Sequence, residues 1–293
     1  MYKNYYGFTQ KPFTLLPNPE FLFMSEQHSL ALSVMDFGLL EKSGFIVVTG
    51  DIGSGKTTLI RHLLNTVDNI QFNIGLVSNT LKSFGEMMQW ILLAYGLDYR
   101  GKSNVELYQT FIDYLIEEYA KGKSTVLIID EAQNMDAVTL EQLRVLSNIN
   151  ADRDQILQII LVGQPQLRDT LKDESLEQFA QRIVADYHLE SLKKSEIIKY
   201  ISHRLTIAGG SRDIFDEHAL NYLAYFSKGI PRLINLLCDM SLLYGFVQQK
   251  QKIDTHIVAE VVRDKLKGGL SPIRKSLERN GPGDNKITRV IYT

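Results

Sequence analysis

Cysteine is almost absent. The single Cys238 among 293 residues excludes an internal disulfide and suits a reducing compartment. Proline is nearly as scarce, with seven in all, and three of them (Pro12, Pro17, Pro19) fall in the opening segment. Neither sign of charge dominates: 32 Lys and Arg stand against 34 Asp and Glu, a formal net charge of −2. That balance excludes a global pull toward nucleic acid or an acidic membrane, while leaving room for a local basic face. Long apolar runs are missing too. The longest, Leu233 to Val247, is broken by Asn235, Asp239 and Ser241 and reads as a buried helix, not a membrane span. The start, MYKNYYGFTQKPF, has no apolar core of the signal-peptide kind, so the expected location is cytoplasmic. What remains, 44% hydrophobic and 23% charged, is the composition of a globular protein with one large or two modest cores.

Against that plain background one stretch stands out. Residues 50–57, GDIGSGKT, fit G-x-x-x-x-G-K-[ST], a loop that wraps the phosphates of a nucleoside triphosphate. An apolar run, Gly44 to Thr49, precedes it as a buried strand, and Thr58 to Leu64 follows as a helix. Gly50, Gly53 and Gly55 let the backbone turn its N–H groups inward, and Asp51, Ile52, Ser54 and Thr58 complete the cradle. The helix N-terminus adds its positive dipole end, Lys56 a mobile charge for the β- and γ-phosphates, and the Thr57 hydroxyl a ligand for Mg²⁺.

The rest of the chain alternates strand and helix up to about residue 190, with strands expected near 45–49, 72–78, 125–129, 156–162 and 184–189. Such alternation predicts a parallel sheet covered on both faces. Only helices follow, at 194–207, 217–227, 231–248 and 255–266, with Asp216 and Asp254 as N-caps and Pro231 as a first residue. The expected domains are 1–42, an aromatic and proline-rich segment with a first helix from about Glu26; 43–192, an α/β core; 193–267, a helical lid; and 268–293, a flexible tail. The opening segment is expected to resist helix and to lie on a surface or over a ligand.

A second signature supports the first. Thr125 to Ile129 reads as a buried strand ending in Asp130-Glu131, two carboxylates at the strand end where α/β sheets bind ligands. Asp130 would hold Mg²⁺, and Glu131 would orient or deprotonate the attacking water. With a further strand intervening in the chain, the arrangement implies a strand inserted between the phosphate-loop strand and the Asp130 strand. Three more residues fit the same chemistry. Gln164, at the tip of the 157–162 strand, is either an amide sensing γ-phosphate and water or an ordinary polar turn residue. Arg182 is either a charge reaching a neighbouring subunit's nucleotide or a solvated helix-end arginine. Arg232 opens the 231–248 helix, where the dipole disfavours a cation unless an anion such as a γ-phosphate lies nearby.

GDIGSGKT, LIIDEAQ, LVGQPQL, FAQRI and GIPRLIN, in that order, resemble the AAA+ ATPases of the general secretion pathway protein A type, and are similar to exosortase-associated ATPases. The opening FTQKPFTLLPNPEFLF is similar to the start of that family as well. The resemblance covers about residues 1–267. It implies an α/β P-loop NTPase fold (AAA+, ASCE) with a five-stranded parallel sheet sandwiched by helices and a small helical lid. It further implies ATP and Mg²⁺ as cofactors, with Lys56 and Thr57 on phosphate and metal and Asp130 and Glu131 as the Walker B pair. Gln164 becomes sensor 1, Arg182 a finger acting in trans, Arg232 sensor 2, and Asn79 a restraint on Glu131. Family members of the secretion type continue into a membrane span and a peptidoglycan-binding region; the 293 residues are expected to form the ATPase module alone.

Two classes of function remain side by side. One is an Mg²⁺-dependent ATPase, a ring or filament of identical copies, that drives assembly or remodelling of an unidentified protein partner, cytoplasmic or peripheral to the inner membrane through that partner. The other is an ATP-gated DNA-binding assembly factor resembling transposition regulators, disfavoured because no dense Lys/Arg cluster lies between residues 45 and 190. A non-hydrolysing adaptor conflicts with the presence of both Glu131 and Gln164. GTP competes with ATP at this stage. Trp90, Tyr95 and Cys238 read as core; His28 is either an ordinary helix-face histidine or a neighbour of adenine, and the basic residues of the tail (Arg274, Lys275, Arg279, Lys286, Arg289) are either solvated or contacts for acidic lipid, DNA or a partner.

Overall fold

A computed structural model describes residues 1–41, 44–67, 70–78, 84–151 and 154–268. In chain order its strands are β1 (Phe45–Gly50), β2 (Phe72–Val77), β3 (Ser124–Ile129), β4 (Asn150–Ala151), β5 (Asp154–Gln155), β6 (Leu157–Gly163) and β7 (Ile183–Leu189). Five of them form one parallel sheet in the order β2-β3-β6-β1-β7. The expected strands are all present. The strand that separates β1 from β3 is β6, the one leading to Gln164, while β2 lies at the edge beside β3. Phosphate loop, acidic pair and Gln164 therefore follow the carboxyl ends of three adjacent strands. The antiparallel pairing of β4 with β5 was not anticipated; two residues per strand carry no period to read.

The chain divides into two units. In the first, Glu26–Ile52 with Lys56–Glu190, the sheet is covered on both faces. β1, β6 and most of β3 are buried at every position, as a central parallel strand requires, and successive side chains sort to opposite faces. Phe45, Val47, Leu127, Ile129, Ile159 and Leu161 join one core, with Met87, Ile91, Phe111 and Leu143 from the helices over it. Ile46, Val48, Val126, Ile128, Ile160 and Val162 join the other, with Met35, Leu39, Leu59, Ile60 and Leu63. Helix Glu26–Leu40 lies so close to the sheet that a Cβ on Gly38 would sit 2.4 Å from Ile46 Cδ1. Trp90 and Tyr95 pack against the first of these cores, and the Tyr95 hydroxyl donates to the Val126 carbonyl at 2.7 Å.

The second unit comprises Met1–Ser25, Gly53–Gly55 and the chain from Ser191 onward. Its helices run Lys194–Ile207, Glu217–Ser227, Pro231–Val247 and Thr255–Lys267. Asp216 caps the second by accepting from the Ala219 N–H at 2.6 Å, and Asp254 caps the fourth from Ile257 at 3.0 Å. The opening segment departs from expectation. Residues Tyr2–Tyr5 form a single helical turn, and Tyr2, Tyr6, Phe8, Phe13 and Phe21 are buried in the helical core with Leu205, Phe215, Leu237 and Ile253. Arg204, itself buried, fastens the segment: its Nε donates to the Pro12 carbonyl at 2.7 Å, Nη1 to the Tyr200 hydroxyl at 2.9 Å, and its plane lies 4.7 Å from the Phe21 ring centre. Met1–Ser25 thus goes with the helical unit and the helix from Glu26 with the sheet, a division inside the expected 1–42 segment. Cys238 is fully buried in this core, which pushes its thiol well up.

Candidate functional site

The loop between β1 and helix Lys56–Thr66 is shaped by two glycines in the left-handed region, Gly53 at φ 83° and Gly55 at φ 108°. At Gly53 the space is spoken for as well. A Cβ there would lie 2.5 Å from Arg232 Cβ, and the Gly53 carbonyl accepts the Arg232 N–H at 3.2 Å, both within the helical unit. Ser54 is buried, and its hydroxyl has no hydrogen-bond partner among the described residues. Lys56 begins the helix and folds back over the loop, donating to the Gly50 carbonyl at 2.8 Å and the Asp51 carbonyl at 2.9 Å. Burial pushes its ammonium down, and the nearby carboxylates of Glu131, Asp130 and Asp51 oppose that shift.

The acidic pair meets this loop. Thr57 Oγ1 donates to Asp130 Oδ2 at 3.1 Å, a bond spanning 73 positions of sequence. Asp130 is buried at the end of β3, and its other oxygen accepts the Glu131 N–H at 2.9 Å. Burial raises the Asp130 carboxyl above the usual carboxylate range; the bonds from Glu131 N–H and Thr57 and the charge of Lys56 work against the rise, and the Glu131 charge adds to it. Glu131 itself stands in the left-handed region at φ 57°, turning the chain sharply out of the strand.

Gln164 is in the same constellation. Its side-chain Nε2 donates to Glu131 Oε2 at 3.3 Å. A residue passed over in the sequence joins them: Gln133 Nε2 donates to Glu131 Oε2 at 2.6 Å, while Gln133 Oε1 accepts the Gln164 backbone N–H at 2.9 Å. The signal available was an amide two positions after a proposed base, in LIIDEAQ. On β7, His188 lies beside Thr49 in the β1–β7 register, with Nδ1 2.9 Å from Thr49 Oγ1.

Arg182 is elsewhere. It precedes β7, level with the amino end of β1, where Phe45 pairs with Ile183, and its Nη1 donates to Ser147 Oγ at 3.2 Å. Arg232 is exposed in the first turn of helix Pro231–Val247. Asn79 and the tail beyond Gly268 lie outside the described residues.

Sheet order, loop and acidic strand end define the class, a P-loop protein with the AAA architecture, and residues 40–171 match the family model described as AAA domain. More particularly, the chain is 39% identical over 254 residues to General secretion pathway protein A of Aeromonas hydrophila, which spans 86% of this chain and 46% of that protein. The chain spans about half the length of the curated relatives it matches. Among solved structures, it superposes on the Aeropyrum pernix ORC2 protein in its ADPNP–ADP complexes with a TM-score of 0.61 at 17% identity, covering 80% of this chain and 65% of that one. The Aeropyrum pernix ORC1 protein in complex with DNA gives a TM-score of 0.66 at 14% identity, with 87% and 70% covered. At such identities the likeness establishes the fold.

Proposed function

We propose that this chain hydrolyses ATP to ADP and phosphate with Mg²⁺, as an oligomer in which a neighbouring copy completes each site. The bond from Thr57 Oγ1 to Asp130 Oδ2 at 3.1 Å carries the reading, because it joins the phosphate loop to the acidic strand end. Hydroxyl and carboxylate are the hard oxygen donors that Mg²⁺ takes, so Thr57 and Asp130 would hold it. Bound there, the ion supplies charge neutralisation at the β- and γ-phosphate oxygens. The loop residues fit a triphosphate: Gly53 and Gly55 adopt left-handed backbone, the buried Ser54 hydroxyl lacks a partner among the described residues, and Lys56 is held over the loop.

Glu131 orients a water and takes its proton as the water oxygen bonds to the γ-phosphorus and the bond to the ADP oxygen breaks. Gln164, bonded to the same carboxylate, contacts the γ-phosphate and that water. Arg232 adds positive charge beside the loop at Gly53. Arg182 acts on the nucleotide of the next copy, since β1 separates it from its own loop by the length of six residues, about 17–20 Å. The cycle drives assembly or remodelling of a partner complex of the secretion, envelope or exopolysaccharide kind. The chain works in the cytoplasm or peripheral to the inner membrane through that partner; no described helix is long and apolar enough to cross a membrane. The DNA-binding alternative gains nothing from the ORC1 likeness, which at 14% identity speaks to fold alone.

Phosphate release by wild type and Glu131→Gln tests the reading. ATP affinity is expected to persist in the variant while kcat falls about 100-fold or more, the scale of losing a general base. Near-wild-type turnover would remove Glu131 from the chemistry.

A further inference from the structure

We propose that Gln133 is a positioning residue for this hydrolysis: it fixes the orientation of the Glu131 carboxylate and couples it to Gln164. The inference rests on the hydrolytic reading above and assigns a device within the same site. Gln133 uses both ends of its amide. The nitrogen donates to Glu131 Oε2 at 2.6 Å, and the oxygen accepts the Gln164 N–H at 2.9 Å, 31 positions away on the end of another strand. A residue that merely finished its own turn would satisfy itself locally; this one cross-links the tips of β3 and β6.

Its own placement is firm. Residues Ala132–Asn134 form one 3₁₀ turn, closed by bonds from Asn134 N–H to the Glu131 carbonyl at 3.0 Å and from Met135 N–H to that of Ala132 at 3.1 Å, with Ala132 and Met135 both buried. Across from it, the approach is so close that a Cβ on Gly163 would lie 3.0 Å from Gln133 Oε1 and 3.2 Å from the Gln133 backbone nitrogen. The strand end and the turn are built around this amide.

The consequence for Glu131 is directional. Both side-chain amides, Gln133 at 2.6 Å and Gln164 at 3.3 Å, converge on Oε2. The carboxylate is pinned by that oxygen, and Oε1 is the one presented to a water. Because Gln133 also grips the backbone N–H of Gln164, a shift of Gln164 on meeting a γ-phosphate pulls on the same amide that holds Glu131. Sensing and base orientation then move together, through two hydrogen bonds that share Gln133.

Steady-state phosphate release and nucleotide affinity, read with a fluorescent ATP analogue on the full chain, test this with Gln133→Ala and Gln133→Glu. The glutamate is isosteric and keeps an acceptor for the Gln164 N–H, but it replaces the donor facing Glu131 with a like charge. Both variants are expected to lose about 10–100-fold in kcat, the scale of a misplaced reactive group, with affinity unchanged within about twofold. Gln133→Ala combined with Gln164→Ala is expected to fall short of the product of the single effects, because the two act on one carboxylate. Should the alanine variant fold poorly, the isosteric glutamate carries the comparison. Turnover equal to or above wild type in Gln133→Glu overturns the assignment, as does a parallel fall in affinity, kcat and melting temperature, which marks a purely structural role. A wild-type chain that releases no phosphate sinks the hydrolytic reading and this linkage with it; an active wild type matched by active variants sinks the linkage alone.

Discussion

Glu131 is a glutamate where backbone sterics favour glycine. At φ 57° and ψ 33° it pays the left-handed penalty, on the order of 1–2 kcal/mol for a residue with a Cβ. Strain of that kind at a strand tip persists when a side chain is needed there, and the two amides on Oε2 are what the side chain meets. Glu131→Gly should therefore stabilise the fold by about 1 kcal/mol, read as a higher urea midpoint, while abolishing turnover. A stability loss in that variant would mean that the amide contacts outweigh the backbone strain. How much of this cluster was legible follows from distance in sequence. Lys56, Thr57, Asp130 and Glu131 announce themselves because each sits in a short pattern at a fixed offset from a strand. Gln133 lies in the same pattern as Glu131, but its bond to the Gln164 N–H does not show there, since that contact depends on which strands are neighbours. β6 lies between β1 and β3 for reasons of packing that no local stretch reveals.

Elements were more readable than contacts. The four late helices were expected at 194–207, 217–227, 231–248 and 255–266, and their bounds differ from those by no more than a residue: Asp caps open two of them and Pro231 a third. Asp216 illustrates the cause: its carboxylate accepts the Ala219 N–H at 2.6 Å, supplying one of the acceptors that the first turn of Glu217–Ser227 lacks. Asp216→Ala should cost about 1 kcal/mol, visible as a lower thermal midpoint, and Asp216→Asn or Asp216→Ser should restore most of it. An unchanged midpoint in the alanine variant would make the cap redundant. The opening segment was misread for the opposite reason. Tyr2, Tyr6, Phe8, Phe13 and Phe21 have no helical or strand period, so their burial depends on one another and on distant partners in the helical core, as with the Arg204 bond to the Pro12 carbonyl, 192 positions away. Composition identified aromatic side chains that need covering; it could not name the helices that cover them.

At the scale of the whole molecule, the sheet keeps Arg182 apart from the other candidate site residues. Loop, acidic pair and Gln164 occupy the carboxyl ends of β1, β3 and β6, whereas Arg182 stands at the amino end of β7, level with Phe45. Parallel strands fix that polarity, and no side-chain rotation reverses it: an arginine side chain extends about 7 Å from its Cα, well short of the roughly 17–20 Å that β1 covers. If the arginine completes a site in a second copy, two inactive variants should repair each other. Glu131→Gln retains Arg182, and Arg182→Ala retains Glu131, so a mixed oligomer contains junctions with one intact contribution from each. Random mixing in equal amounts makes about a quarter of the junctions competent, and mixed samples should recover phosphate release toward that fraction while either variant alone stays near background. Recovery should rise with total protein concentration, because it requires association. Mixtures no more active than their components would show that Arg182 serves no neighbouring nucleotide, and would leave its bond to Ser147, at 3.2 Å between the helix end and β7, as its whole role.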